Sequence, residues 1–118
     1  MTQDKELLLK DLCARLPYSV KVESVFINPD TKEHKPCGIE IFDATSLLMI
    51  RDGLGEFKPY LFPLSSMTKE QKIRCQAIQD MGASYSHRLI DRYNEWYLDY
   101  RGLIEKGLAI DATELNVY

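Results

Sequence analysis

Residues 58–71, KPYLFPLSSMTKEQ, divide the chain into two kinds of sequence: short, strand-like segments end there and helical spacing takes over. Pro59 and Pro63 lack backbone donors, so a strand that carries them must lie at a sheet edge or end early. Tyr60, Phe62 and Leu64 can still pack. Thr68 and Gln71 then have the spacing of a capping box, each side chain bonding the other's backbone N–H. Glu70 in the first turn suits the positive end of the helix dipole. The stretch reads as the seam where a sheet hands over to helices. It is not a linker between domains, and its prolines lack the P-x-x-P spacing of a proline-rich ligand.

The flanking segments extend this reading. Residues 4–16 predict a short helix with Leu8, Leu9, Leu12, Cys13 and Leu16 on one stripe, Asp4 placed as its cap and Pro17 as its stop. Residues 18–27, YSVKVESVFI, switch to period two: Tyr18, Val20, Val22 and Phe26 fall on one side, with Ser24 interrupting. NPDTKEHKPCG, 28–38, reads as a polar loop, IEIF at 39–42 as a second strand and LLMIRD at 47–52 as a third. Asp52-Gly53 is a hairpin signal, because that pair accepts positive φ, and EFKPYLF returns as a fourth strand.

Beyond the seam, Ile73, Ala77, Ile78 and Met81 form the inward face of a helix that Gly82 ends. Ser84 or Ser86 opens the next helix, which runs to about Leu98. Tyr85, Leu89, Tyr93, Trp96, Tyr97 and Tyr100 make an aromatic seam along it, and Arg88–Asp91 and Arg92–Glu95 pair on its wet side. Gly102 and Gly107 bracket a short helical turn whose Leu103 and Ile104 cap the core, and the tail 109–118 is extended or frayed.

The order predicts one α+β domain over residues 1–118. It has an N-terminal helix, a three- to four-stranded antiparallel meander able to curl into a small SH3-like partial barrel, and two to three C-terminal helices. A chain of 118 residues buries enough surface to need no metal or disulfide staple. Cys13, Cys37 and Cys75 form no C-x-x-C and read as reduced, mostly buried thiols. The mixed-charge N-terminus is no signal peptide, and no stretch approaches the roughly 18 apolar residues of a membrane span, so a cytoplasmic location is expected.

Motifs for catalysis are weak. His34 and Cys37 stand as H-x-x-C beside Glu33, which is half a zinc site without its other half. Cys75 and His87 lie on adjacent predicted helices and would make a nucleophilic pair only with a third, orienting group. Asp91, Glu95 and Asp99 step by four and read as a solvated stripe beside Arg88 and Arg92. No phosphate-binding glycine motif is present, and no cofactor is expected. The net charge of −3 supplies no global field toward nucleic acid. A local patch of Lys69, Lys72, Arg74, Arg88 and Arg92, with Tyr93, Trp96 and Tyr97 as stacking faces, keeps nucleic-acid binding open as an alternative.

Three blocks, LLLKDLCARLPY at 7–18, KPYLFPLSSMT at 58–68 and YLDYRGLIEKGLA at 97–109, resemble a group of small proteins encoded by phages and prophages of gut anaerobic bacteria. The resemblance spans most of the chain and is weakest over 19–57. It implies a mobile-element origin, a cytosolic setting and a non-enzymatic role, and it carries no catalytic motif. The expected function is that of an accessory protein acting by protein–protein interaction, with a host or phage partner or a second copy. Trp96, Tyr97, Tyr100 and Tyr118, together with His34 and Lys35 of the 28–38 loop, are the candidate partner-binding residues. The alternatives are a nucleic-acid-binding barrel-plus-helix domain and a small hydrolase-type enzyme with a Cys/His or carboxylate site.

Overall fold

The computed structural model describes residues 2–118. Helix α1 spans Gln3–Ala14, and its cap is Thr2, not Asp4: the Thr2 hydroxyl accepts from the Lys5 backbone N–H at 3.2 Å. Leu12 is fully buried, and Leu7, Leu8 and Leu16 pack against the same cluster, whereas Cys13 faces water. Pro17 stops the helix as expected. A single 3-10 turn, Leu16–Tyr18, and the left-handed Ser19 (φ 56°) then redirect the chain, so strand β1 begins only at Lys21 and ends at Ile27.

Val20, Val22 and Ser24 are buried from β1 or its approach, so the serine continues the inward face. The expected 28–38 loop is much shorter. Asn28 closes a turn by accepting from the backbone N–H groups of Asp30 and Thr31, and strand β2, His34–Ile41, follows. β2 pairs antiparallel with β1, and every one of its residues is exposed. Residues 39–41 bear out the strand expected at IEIF, whereas 34–38, exposed on both faces, leave no period-two record and read as loop. A bulge absorbs Cys37: Ser24 opposes Gly38 and Val25 opposes Pro36, with Gly38 at φ 85°.

Residues 47–52, expected as a strand, belong to helix α2, Ala44–Arg51. Asp43 and Ser46 cap it reciprocally, at 3.0 and 3.2 Å. Asp52-Gly53 therefore ends a helix instead of turning a hairpin, with Gly53 at φ 72° where helix C-termini favour glycine. Leu47, Met49 and Ile50 pack on the core. Strand β3, Gly55–Pro63, pairs antiparallel with β1. Because α2 carries the chain from β2 across to β3, the strand order is β2-β1-β3 rather than a sequential meander.

β3 is central, not an edge. Its ladder with β1 runs only to Pro59, opposite Val22, and new partners follow: β4 (Leu98–Asp99) at Phe62 and Pro63, and β5 (Ile110–Asp111) at Tyr60 and Leu61, both parallel. The prolines do mark a boundary, but one where β3 changes partners. The 109–118 tail is anchored, since Ala109 and Ala112 are buried and the Ala112 N–H donates to the Leu61 carbonyl at 2.8 Å. The Leu103–Ile104 segment forms hydrogen-bonded turns, not helix, and Leu103 is fully buried as expected.

The core cluster is Leu12, Val20, Val22, Phe42, Phe57, Leu61, Leu103 and Ala109, with Phe42 and Phe57 edge to face at 5.6 Å. Helices α3 (Lys69–Asp80) and α4 (Ser86–Glu95) contribute none of it. The α+β class therefore stands: an N-terminal helix, an antiparallel-dominated sheet and C-terminal helices. Among the described residues no helix is long and apolar enough to cross a membrane.

Candidate interaction surface

α3 starts where the sequence places it. The Gln71 N–H donates to the Thr68 hydroxyl at 3.1 Å, and the Thr68 N–H donates to the Gln71 side chain at 2.9 Å. Gly82, at φ 102°, follows its end and allows the reversal into α4. The chain measures 54 Å along its longest axis against 30 and 23 Å across.

The inward contact of α3 is Cys75, which is buried with its Sγ 3.9 Å from Met67 Sδ. The expectation that Ile73 and Met81 also face a core is overturned: they are 60% and 48% exposed, and Ala77 is exposed too. Helix geometry gives the reason. Ile73 and Cys75 are two residues apart, which places them on roughly opposite sides of a helix. With Cys75 inward, Ile73 points out, and Ala77 and Met81 follow it at four-residue spacing.

Between the helices lies an open groove of about 560 Å³, lined by Arg74 and Ile78 from α3 and by His87, Arg88, Asp91 and Arg92 from α4. Arg92 is neutralised by Glu95 at 2.6 Å. The expected Arg88–Asp91 pair is not among the ion pairs of the described residues; the Arg88 guanidinium lies over the Tyr85 ring, 5.0 Å from its centre. Arg74, Arg88 and Arg92, singled out for a basic patch, do converge, with Asp91 among them.

The aromatic candidates divide. α4 ends at Glu95, three residues before the expected Leu98, because Tyr97 turns left-handed (φ 58°). Tyr97 stacks on Tyr118 at 3.9 Å, and its phenol donates to the Tyr18 carbonyl. Tyr100 lies against Tyr93 at 5.6 Å and under the guanidinium groups of Arg15 and Arg101, 5.4 and 4.6 Å from its centre. Trp96 is half-buried at the end of α4. His34 and Lys35 stand exposed at the start of β2, on an edge strand and not in a loop.

The catalytic candidates stay apart. The Cys75 thiol faces Met67, burial pushes its pKa up, and no hydrogen bond joins it to His87 on the groove side. Asp91, Glu95 and Asp99 diverge, since Asp99 is buried and accepts from the Leu103 and Ile104 N–H groups at 2.8 and 2.9 Å. Among the described residues no three His, Cys, Asp or Glu side chains cluster to hold a metal ion. No family model, no curated protein and no solved structure matches the chain.

Proposed function

We propose that the chain is a non-catalytic interaction protein, an accessory factor of a phage or other mobile element, and that it binds a protein partner through the α3–α4 hairpin. The mobile-element origin rests on the resemblance of the three sequence blocks. The observation that carries the interaction reading is the exposure of Ile73 and Met81 on a helix whose inward side is already occupied by Cys75. Single exposed apolar residues are ordinary on a protein surface. A row of them at four-residue spacing on the helix whose Arg74 and Ile78 line a groove, and outside the core cluster, is the kind of stripe that a partner covers.

A second reading, nucleic-acid binding, draws on the convergence of Arg74, Arg88 and Arg92. Against it, Asp91 sits in the same groove and Glu95 neutralises Arg92. Tyr93 and Tyr97 also have ring faces engaged by Tyr100 and Tyr118, which removes stacking platforms.

The test is capture from a lysogenic host lysate, with and without nuclease treatment, on immobilised wild-type chain and on Ile73→Glu/Met81→Glu. A protein retained by the wild type and lost by the folded variant is the expected result. Equal retention by both, or retention of nucleic acid alone that weakens steeply with salt, refutes the reading.

A further inference from the structure

We infer that the occupant of the α3–α4 groove is an acidic amphipathic helix of the partner, its apolar side against Ile73, Ile78 and Met81 and its carboxylates over Arg74 and Arg88. This inference rests on the hairpin being the interaction surface and adds the chemistry of what binds there. The chain as a whole is acidic, at −3, yet the groove presents three arginines against one aspartate. Among the described residues neither Arg74 nor Arg88 has a carboxylate within ion-pair distance, whereas Arg92 has Glu95. Two planar guanidinium groups without carboxylates match a ligand that brings its own, because Arg binds carboxylate in a two-pronged geometry.

The apolar component distinguishes protein from nucleic acid. Ile78 lines the groove, and by helix geometry the exposed Met81, Ala77 and Ile73 run outward round α3 from the Arg74–Ile78 wall. A helix laid along such a groove presents anchors at i, i+3, i+4 and i+7, with its charged residues at the margins. A phosphate backbone has no use for that stripe and is repelled by Asp91. A second copy docked symmetrically across the groove brings one arginine-rich patch against another of the same sign, because a two-fold interface pairs each patch with itself. Charge complementarity therefore favours a foreign acidic segment.

The experiment uses the full chain and a set of short fluorescent synthetic helical peptides with varied leucine spacing. Each is made in two versions, one with Glu and one with Lys on the polar face, and a single-stranded oligonucleotide serves as comparison. Fluorescence anisotropy is measured with wild type, Arg74→Glu/Arg88→Glu and Ile73→Glu/Met81→Glu. The expected result is that acidic peptides bind about tenfold or more tighter than their basic twins, that the arginine reversal inverts this preference, and that the apolar variant weakens both. Absence of binding by any acidic peptide, equal binding of both versions, or binding of the oligonucleotide alone overturns the inference. If that happens while Ile73→Glu/Met81→Glu still loses the lysate partner, the hairpin reading stands and only its occupant is wrong. If the variant keeps the lysate partner, the hairpin reading itself falls.

Discussion

Tyr118 lies flat on Tyr97, with ring centroids 3.9 Å apart and planes 10° from parallel. The stack closes a seam in the sheet. The ladder between β1 and β3 stops at Val22 and Pro59, and the Tyr118 hydroxyl fills the next position, accepting from the Lys21 N–H at 2.9 Å and donating to the Tyr60 carbonyl at 2.8 Å. The Lys21 ammonium reaches the Val117 carbonyl, which holds the tail down. A left-handed bulky residue is strained, and here the stack and the bond to Tyr18 hold Tyr97 in place.

This seam predicts an alkaline limb of stability. Burial pushes the phenols of Tyr97 and Tyr118 up from their ordinary value near 10. The unfolded chain then loses these protons first, so the contribution is fully present below about pH 10 and is lost as pH rises above it. Urea unfolding at about pH 7 and about pH 11 should show the loss. Tyr118→Phe should lower stability by about 1 kcal/mol at neutral pH and flatten the alkaline fall. An unchanged limb in the variant would place the titration elsewhere.

A second prediction concerns Asp11 and Arg15, both fully buried and one turn apart on or just after α1. Arg15 donates to both Asp11 oxygens, at 2.9 and 3.0 Å, and to the Leu98 carbonyl at 2.6 Å, and Arg101 reaches Asp11 at 3.0 Å. The network ties the first helix to β4. Removing one member of a buried pair strands the other charge, so Arg15→Met should cost about 3 kcal/mol in denaturant unfolding. A loss below about 1 kcal/mol would show that the site re-forms around Arg101.

Much of this architecture was legible, and the misses have physical causes. The Thr68–Gln71 box and the Gly82 stop fixed α3, because capping chemistry is local. LLMIRD is a short apolar run that suits strand or helix equally. The deciding signal was Asp43 with Ser46, a cap that lacks the usual Glu or Gln at its third position. Only the first half of β2 was hidden: IEIF marked residues 39–41 as strand, whereas 34–38, exposed on both faces, carries prolines and charges with no alternation. The anchoring of Tyr118 and the Asp11–Arg15–Arg101 network join residues far apart in the chain, which spacing cannot reveal. On α3, Ile73 was read as facing the core from its apolar character alone, and with Cys75 inward the two-residue spacing turns Ile73 outward.

Thiol labelling gives a third prediction. Cys13 and Cys37 are exposed and Cys75 is buried with a raised pKa. A neutral alkylating reagent at near-neutral pH should modify the first two in the native protein and Cys75 only on unfolding. Rapid native labelling of Cys75 would mean that α3 detaches readily and would revive a reactive-thiol role.

Whether the outer face of α3 is open surface or core is a measurable difference in stability. Equilibrium urea unfolding of Ile73→Glu/Met81→Glu beside Leu103→Ala decides it. Leu103 is fully buried and its truncation should cost about 2–5 kcal/mol. The α3 variant should change stability by no more than about 0.5 kcal/mol, as surface substitutions do. A loss in that variant as large as that of Leu103→Ala would show that these residues hold the fold together and are not a surface left open for a partner.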